Sequence, residues 1–283
     1  MIEKEFEFYK AEGYTDVFNY MKKNYLPFAG GTDVMIKVKE GYLRTSGLLY
    51  IGDMLELKGI EKKDNSIFIG AAEKLTDIIK NTIVKENFPG LIQAIELIGS
   101  LQIRNQATLG GNLANCSPVS DSMPILMALD AKIHIVSENN RKIIELKDFP
   151  KGVCQTALET GEIIEKLEIP IINSKNYQAY RKFAQRPEVS IQKCSTAVVF
   201  EYENDEITIK KAKIAIGAVA VRALRCEKAE QMLKGQKLSP ELIEKVANMV
   251  SEESKPISDI RSTREYRQKM VGEGFREIAL KSV

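Results

Sequence analysis

The chain has 283 residues, 44% of them hydrophobic and 28% charged, with a formal net charge of +2. That length supports two domains with a sizeable core, and the composition is an ordinary globular one. So small a charge gives no footprint for nucleic acid, no apolar run approaches the roughly 20 residues of a membrane helix, and the mixed-charge start Met1-Ile2-Glu3-Lys4-Glu5 is unlike a leader, so a cytoplasmic location is expected.

Residues 1–55 predict a small α/β unit. Phe6 and Phe8 alternate with Glu5 and Glu7 as in a strand, residues 15–24 suit a short helix, and buried strands are expected over 26–29 and 48–51. A second unit, 56–172, begins with a strand over 66–71 and a helix over 75–83. Leu91, Ile92, Ile95 and Ile98 then share one helical face. Asp121 or Ser122 can cap a helix with Pro124 in its first turn, and strands over 132–136, 142–146 and 163–169 complete the unit. Asn173-Ser174-Lys175-Asn176 marks a boundary. Beyond it, residues 173–283 carry strands over 177–183 and 196–202, an apolar pair at 207–209 and 212–216, and helices over 226–233, 240–250 and 266–280. Three strands followed by helices predict a separate α+β domain.

The four cysteines, Cys116, Cys154, Cys194 and Cys226, show no short Cys-x-x-Cys spacing, so buried free thiols are expected and no iron–sulfur or zinc site is. The single histidine, His134, alternates with Ile133 and Ile135 and is expected at solvent or a packed edge, with no nucleophile elbow to make it catalytic. No catalytic or metal-ligating residue is therefore assigned.

Two glycine-centred loops carry the functional signal: Ala29-Gly30-Gly31-Thr32-Asp33 and Thr108-Leu109-Gly110-Gly111-Asn112. A phosphate oxygen reaches the main chain where no Cβ intervenes, and N–H groups converge on it at unusual φ values. Neither loop is a Gly-x-Gly-x-x-Gly or Gly-Lys-Ser/Thr motif. Together they predict a diphosphate clamp between two subdomains.

The strings from Phe28 to Asp33 and from Gln102 to Leu113, followed by Ser117-Pro118-Val119-Ser120-Asp121 and Leu129-Asp130-Ala131, resemble the FAD-binding medium subunits of molybdenum hydroxylases. This is the group of xanthine dehydrogenase and aerobic carbon monoxide dehydrogenase. Tyr180-Arg181-Lys182-Phe183-Ala184-Gln185-Arg186 resembles the family's segment beside the flavin, and Ser262-Thr263-Arg264-Glu265-Tyr266-Arg267 its C-terminal helix. The resemblance implies an α+β fold: a two-subdomain FAD-binding domain of the vanillyl-alcohol-oxidase (PCMH) type over 1–172, then a smaller α+β domain over 173–283 with a three-stranded antiparallel sheet and helices.

It also implies roles. Pro27, Phe28, Ala29, Gly30, Gly31, Thr32, Asp33 and Val34 would wrap one side of the FAD diphosphate. Thr108, Leu109, Gly110, Gly111 and Asn112 would hold the other. Asp121 and Ile164 would contact the cofactor, Lys182 would lie at the flavin's pyrimidine edge, and Arg186 would face a pyridine dinucleotide. Ile98 stands where animal members carry an aromatic residue, and the segment Arg186-Pro187-Glu188-Val189 is less acidic than theirs.

The implied activity is electron transfer by an oxidoreductase subunit. Electrons would arrive from a small subunit with [2Fe–2S] clusters, beside a large molybdenum-cofactor subunit, and leave to NAD or another acceptor. The alternatives are a stand-alone FAD-binding protein without oxidoreductase activity, a relative of the flavin enzyme of cell-wall sugar reduction, and a non-flavin nucleotide-binding module.

Overall fold

The computed structural model describes residues 6–186 and 189–283. Three short strands, β1 (Glu7–Lys10), β2 (Tyr25–Phe28) and β3 (Gly47–Tyr50), pair in parallel in the order β1-β3-β2. Parallel neighbours need crossovers, supplied by helices α1 (Tyr14–Lys22) and α2 (Val34–Lys39). Pro27 fits within β2 because β2 is an edge strand, where a missing N–H is tolerated. Helix α2, directly after the first glycine loop, is an element the sequence pattern did not suggest.

The next unit opens with β4 (Ile60–Lys63) and β5 (Ser66–Gly70). Six helices follow: α3 (Leu75–Lys80), α4 (Thr82–Asn87), α5 (Pro89–Glu96), α6 (Leu101–Arg104), α7 (Leu109–Asn115) and α8 (Ser122–Ala128). The chain continues through β6 (Lys132–Val136), β7 (Arg141–Glu145), a small ribbon of β8 (Pro150–Gly152) and β9 (Gln155–Thr156), and β10 (Ile163–Pro170). Apart from the ribbon, the strands form an antiparallel sheet in the order β4-β5-β10-β6-β7. The helix expected over 75–83 breaks at Asn81. That residue is extended (φ −69°, ψ 123°), and its side chain accepts the Val84 N–H at 3.1 Å, so a local cap outcompetes helix continuation.

The C-terminal part holds β11 (Asn176–Ala184), β12 (Gln192–Tyr202), β13 (Ile209–Gly217) and β14 (Leu224–Arg225), all antiparallel and in chain order, then α9 (Glu227–Leu233), α10 (Pro240–Glu253) and α11 (Arg264–Lys281). This sheet has four strands rather than three, because the two-residue β14 adds an edge. Of the expected pair at 207–209 and 212–216, Ile209 and the second member fall in one strand, while Ile207 lies outside it and is exposed. Lys210 is the extra residue of a bulge, with Lys211 opposite Glu201 and Ile209 opposite Tyr202.

Strand alternation explains how that sheet is used. Ala197 and Val199 of β12 pack into the core of the five-stranded unit, while Val198 and Phe200 pack with Val246, Val250 and Phe275 of α10 and α11. With both faces covered, β12 is buried along nearly its whole length, its polar Gln192, Ser195 and Thr196 included. The sheet is thus built into the first part of the chain rather than tethered to it.

His134 is half-buried, 2.9 Å from Glu168 on the neighbouring β10, with its ring edge-on to Phe68. All four cysteines are free, but Cys154 is exposed instead of buried. Burial pushes the Cys116 thiol up to about 11, which keeps it protonated at neutral pH. Among the described residues, no helix is long and apolar enough to cross a membrane.

Candidate cofactor cleft

The first glycine loop leaves the C-terminal end of β2 and turns into α2. Gly31 has φ +73°, a conformation that side chains rarely adopt, and this reverses the chain after Ala29 and Gly30. Gly30 serves a different need. A Cβ there would collide with the backbone of Gln106 and Ala107, so its absence lets the two glycine segments approach each other. Among the described residues, the N–H groups of Gly30, Gly31 and Thr32 donate to no acceptor in the chain. Unpartnered, partly exposed N–H groups on a tight turn form an anion-seeking nest.

The second segment is not a loop. Thr108 is the N-cap of α7, its Oγ1 accepting the Gly111 N–H at 3.1 Å, and Gly110 and Gly111 lie inside the helix without positive φ. From Leu109 to Asn112 its backbone donors are already engaged: Leu109 N–H with the Glu73 carbonyl at 3.1 Å, Gly110 N–H with that of Ala71 at 2.9 Å, and Asn112 N–H with that of Thr108 at 3.0 Å. Gly110 lacks a Cβ because α7 lies directly on Ala71. The expectation of two alike N–H cradles is therefore corrected. The first segment offers main-chain donors, and the second offers side chains.

Asn112 is the clearest of these. Its Oδ1 accepts the hydroxyls of Ser120 and Ser122 at 2.8 and 2.7 Å, which fixes the amide and leaves Nδ2 as the outward donor. This gives the Ser-Pro-Val-Ser-Asp-Ser run a use that its sequence did not reveal.

Between the two segments lies a cleft of three adjoining cavities that share Phe28, Ala29 and Thr108. One, of about 310 Å³, is bounded by residues 26–34 and by Lys37, Ile98, Ile103, Gly111, Asn112 and Asn115. A second, of about 120 Å³, is largely apolar, with Ile51, Leu57, Ala72, Gly110 and Ile164 in its wall. The third, about 310 Å³, opens beside Phe8, Tyr50, Lys58 and Lys74. Pro27, Phe28, Ala29, Gly30, Gly31, Thr32, Asp33, Val34, Thr108, Gly110, Gly111, Asn112 and Ile164 thus all border one cleft. Leu109 does not; it is fully buried in the core of the five-stranded unit.

Asp121 and Lys182 lie behind the cleft rather than in its wall. The Lys182 ammonium donates to Asp121 Oδ2 at 2.8 Å and to the Leu97 carbonyl at 2.9 Å, and the Tyr180 hydroxyl donates to Asp121 Oδ1 at 2.8 Å. Burial pushes the Asp121 carboxyl above its ordinary value while Lys182 and Tyr180 draw it back, and burial with the adjacent Asp121 holds the Tyr180 phenol well above its own. Asp121 makes no capping bond to α8, so its side chain serves the ion pair instead. Lys182 reaches the cleft through Leu97, whose neighbour Ile98 lines it. Arg186 is elsewhere. It donates to the Val189 carbonyl and borders a separate surface pocket of about 540 Å³ with Lys193 and Arg261. Pro187 and Glu188, in the same segment, lie outside the described residues. Among the described residues, no group of His, Cys, Asp and Glu side chains converges as a metal site.

Two family models match almost the whole chain: the FAD binding domain in molybdopterin dehydrogenase over 4–172, and the CO dehydrogenase flavoprotein C-terminal domain over 178–282. The chain belongs to the FAD-binding medium subunits of the molybdenum hydroxylases. It is 30% identical to the glyceraldehyde dehydrogenase medium chain of Sulfolobus acidocaldarius over 99% of this chain and 100% of that one. Identity to the xanthine dehydrogenase FAD-binding subunit of Escherichia coli O157:H7 is 28%, covering 93% and 91% of the two chains. The fold superimposes on a chain of carbon monoxide dehydrogenase from Hydrogenophaga pseudoflava with a TM-score of 0.94, at 26% identity, over 100% of this chain and 99% of that one. For a medium subunit of this family, the cleft between the glycine segments falls within the matched FAD-binding domain, and the relatives are oxidoreductase subunits.

Proposed function

We propose that this chain is the FAD-carrying electron-transfer subunit of a molybdenum-dependent hydroxylase or dehydrogenase. It would take electrons from [2Fe–2S] clusters of a small partner subunit, beside a large subunit holding the molybdenum cofactor, and pass them to NAD or another acceptor. One observation carries the reading: unpartnered N–H groups at Gly30, Gly31 and Thr32 line one cavity of a cleft whose adjoining cavities meet at Phe28, Ala29 and Thr108. A dinucleotide, two ring systems joined through a diphosphate, needs that arrangement.

FAD bound there supplies a carrier that accepts electrons singly and releases them in pairs. The chain's residues bind and orient it. Main-chain donors of the first loop and Asn112 Nδ2 meet polar oxygens, and Thr32 adds a hydroxyl. Ile98, Ile103 and Ile164 present apolar walls to the rings and exclude water. Asp121 and Lys182 hold the Leu97–Ile98 wall in place from behind. Arg186, away from the cleft, is the residue proposed for the acceptor side, and a two-subdomain PCMH-type domain over 1–172 with a C-terminal domain over 173–283 is the organisation that fits these roles.

The test is a visible absorption spectrum of the purified chain, chromatography of the cofactor released on denaturation, and recovery of bound chains from native extracts. Released FAD with co-purified molybdenum and iron–sulfur chains supports the proposal. A colourless chain that takes up no added FAD overturns it, and FAD without partner chains in native extracts favours a stand-alone flavoprotein.

A further inference from the structure

The cavity bounded by residues 26–34 has two charged residues in its wall, Lys37 and Asp33, and they do not form an ion pair with each other. Instead they are linked through Asn115. Its Nδ2 donates to Asp33 Oδ1 at 3.0 Å, and its Oδ1 accepts from Lys37 Nζ at 2.9 Å. The carboxylate thus dictates which way the amide faces, and the amide oxygen then holds the ammonium at the cavity wall. An ammonium has three donors, and the Asn115 amide takes one. Lys37 is half-buried, and among the described residues it has no carboxylate within ion-pair distance.

We infer that Lys37 is the counter-ion of the FAD diphosphate, that Asn115 is its positioning residue, and that Asp33 orients Asn115 rather than touching phosphate. This rests on the FAD reading above. A diphosphate carries two negative charges, whereas the nest at residues 30–32 supplies only partial ones. A cation spent on a neutral amide in a partly desolvated cleft is available to neutralise the remainder, and its charge-assisted bonds are stronger there than neutral ones. Asp33 carries the wrong sign for a phosphate ligand. Its bond to Asn115 gives it a different use, tying the first glycine loop to α7 across the cleft.

The test uses the full chain stripped of flavin, titrated with FAD at low and high salt by flavin fluorescence, with unfolding midpoints measured alongside. Lys37→Met is expected to weaken FAD binding by about tenfold or more and to flatten its salt dependence, whereas Lys37→Arg, which keeps the charge, stays within about threefold of the parent. Asn115→Ala is expected to weaken binding less than Lys37→Met and to keep the salt dependence. A folded Lys37→Met variant that binds FAD within about twofold of the parent, with the same salt slope, overturns the assignment. If Lys37→Met is too unstable to load, a folded Lys37→Arg variant with lost binding overturns it too. A parent chain that binds no FAD at either salt overturns the FAD reading itself, and this inference with it.

Discussion

Lys182 of β11 and Asp121, at the start of α8, form a 2.8 Å ion pair whose side chains are only 3% and 9% exposed. The same ammonium holds the Leu97 carbonyl, and the same carboxylate accepts the Tyr180 hydroxyl. The pair therefore fastens the C-terminal sheet to the wall of the cleft. Removing one partner strands the other charge away from water. Lys182→Met is expected to destabilise the chain by about 3–5 kcal/mol, and adding Asp121→Asn to restore much of the loss. Denaturant unfolding of the two variants checks this, and equal stabilities would show that the pair is not coupled.

The Gly31 backbone, at φ +73°, is strained for any β-branched residue, although its surroundings leave space for a side chain. Gly31→Val is expected to cost about 1–2 kcal/mol locally and to turn the neighbouring N–H groups away from one another. Flavin retention should fall well before global stability does. Flavin-to-protein absorbance ratio and unfolding midpoint, measured together, separate the two effects.

Adjacent glycines in α7 should respond unequally. A Cβ on Gly110 meets the side chain and backbone of Ala71, so Gly110→Ala is expected to cost about 1–3 kcal/mol through overpacking. At Gly111 the near neighbour is the Thr108 hydroxyl, a cap that can rotate away. The gain in helix propensity then offsets the lost cap, leaving Gly111→Ala within about 1 kcal/mol of the parent. Thermal unfolding of both variants tests the difference.

Asp130, just after α8, joins the first part of the chain to the C-terminal sheet, paired with Lys213 of β13 and, at 2.9 Å, with Arg225 of β14. Burial would raise its carboxyl, but the two cations outweigh burial and hold it below its ordinary value. A depressed carboxylate contributes stability above its unfolded value, near about 3.9, and loses it as pH falls through the lower folded one. Asp130→Asn is expected to cost about 2–3 kcal/mol at neutral pH, reduced from the fully buried case because Asp130 is partly exposed. The gap between parent and variant should close on acidification below the ordinary carboxylate range. A gap independent of pH would sink the electrostatic account.

The sequence by itself determined the family, the order of the main elements and the glycine segments at the cleft. These are local properties: alternation of apolar residues, punctuation by Gly, Pro and Asn, and short ordered strings such as Ala29-Gly30-Gly31-Thr32-Asp33. The tertiary structure decided how each segment is used. Thr108-Leu109-Gly110-Gly111-Asn112 looks like its counterpart in sequence, yet it starts a helix, and the carbonyls of Glu73 and Ala71 take the N–H groups of Leu109 and Gly110. Lys182 and Asp121 read as cleft residues, but the contact between β11 and α8 pairs them behind it. Lys37, Asn115, Ser120 and Ser122 gave no signal of their role in the linear pattern, since hydrogen bonds between residues 8 to 78 positions apart depend on how the two segments meet. Local chemistry sets what a segment can form, and the partners that folding brings to it set which donors and charges remain for a ligand.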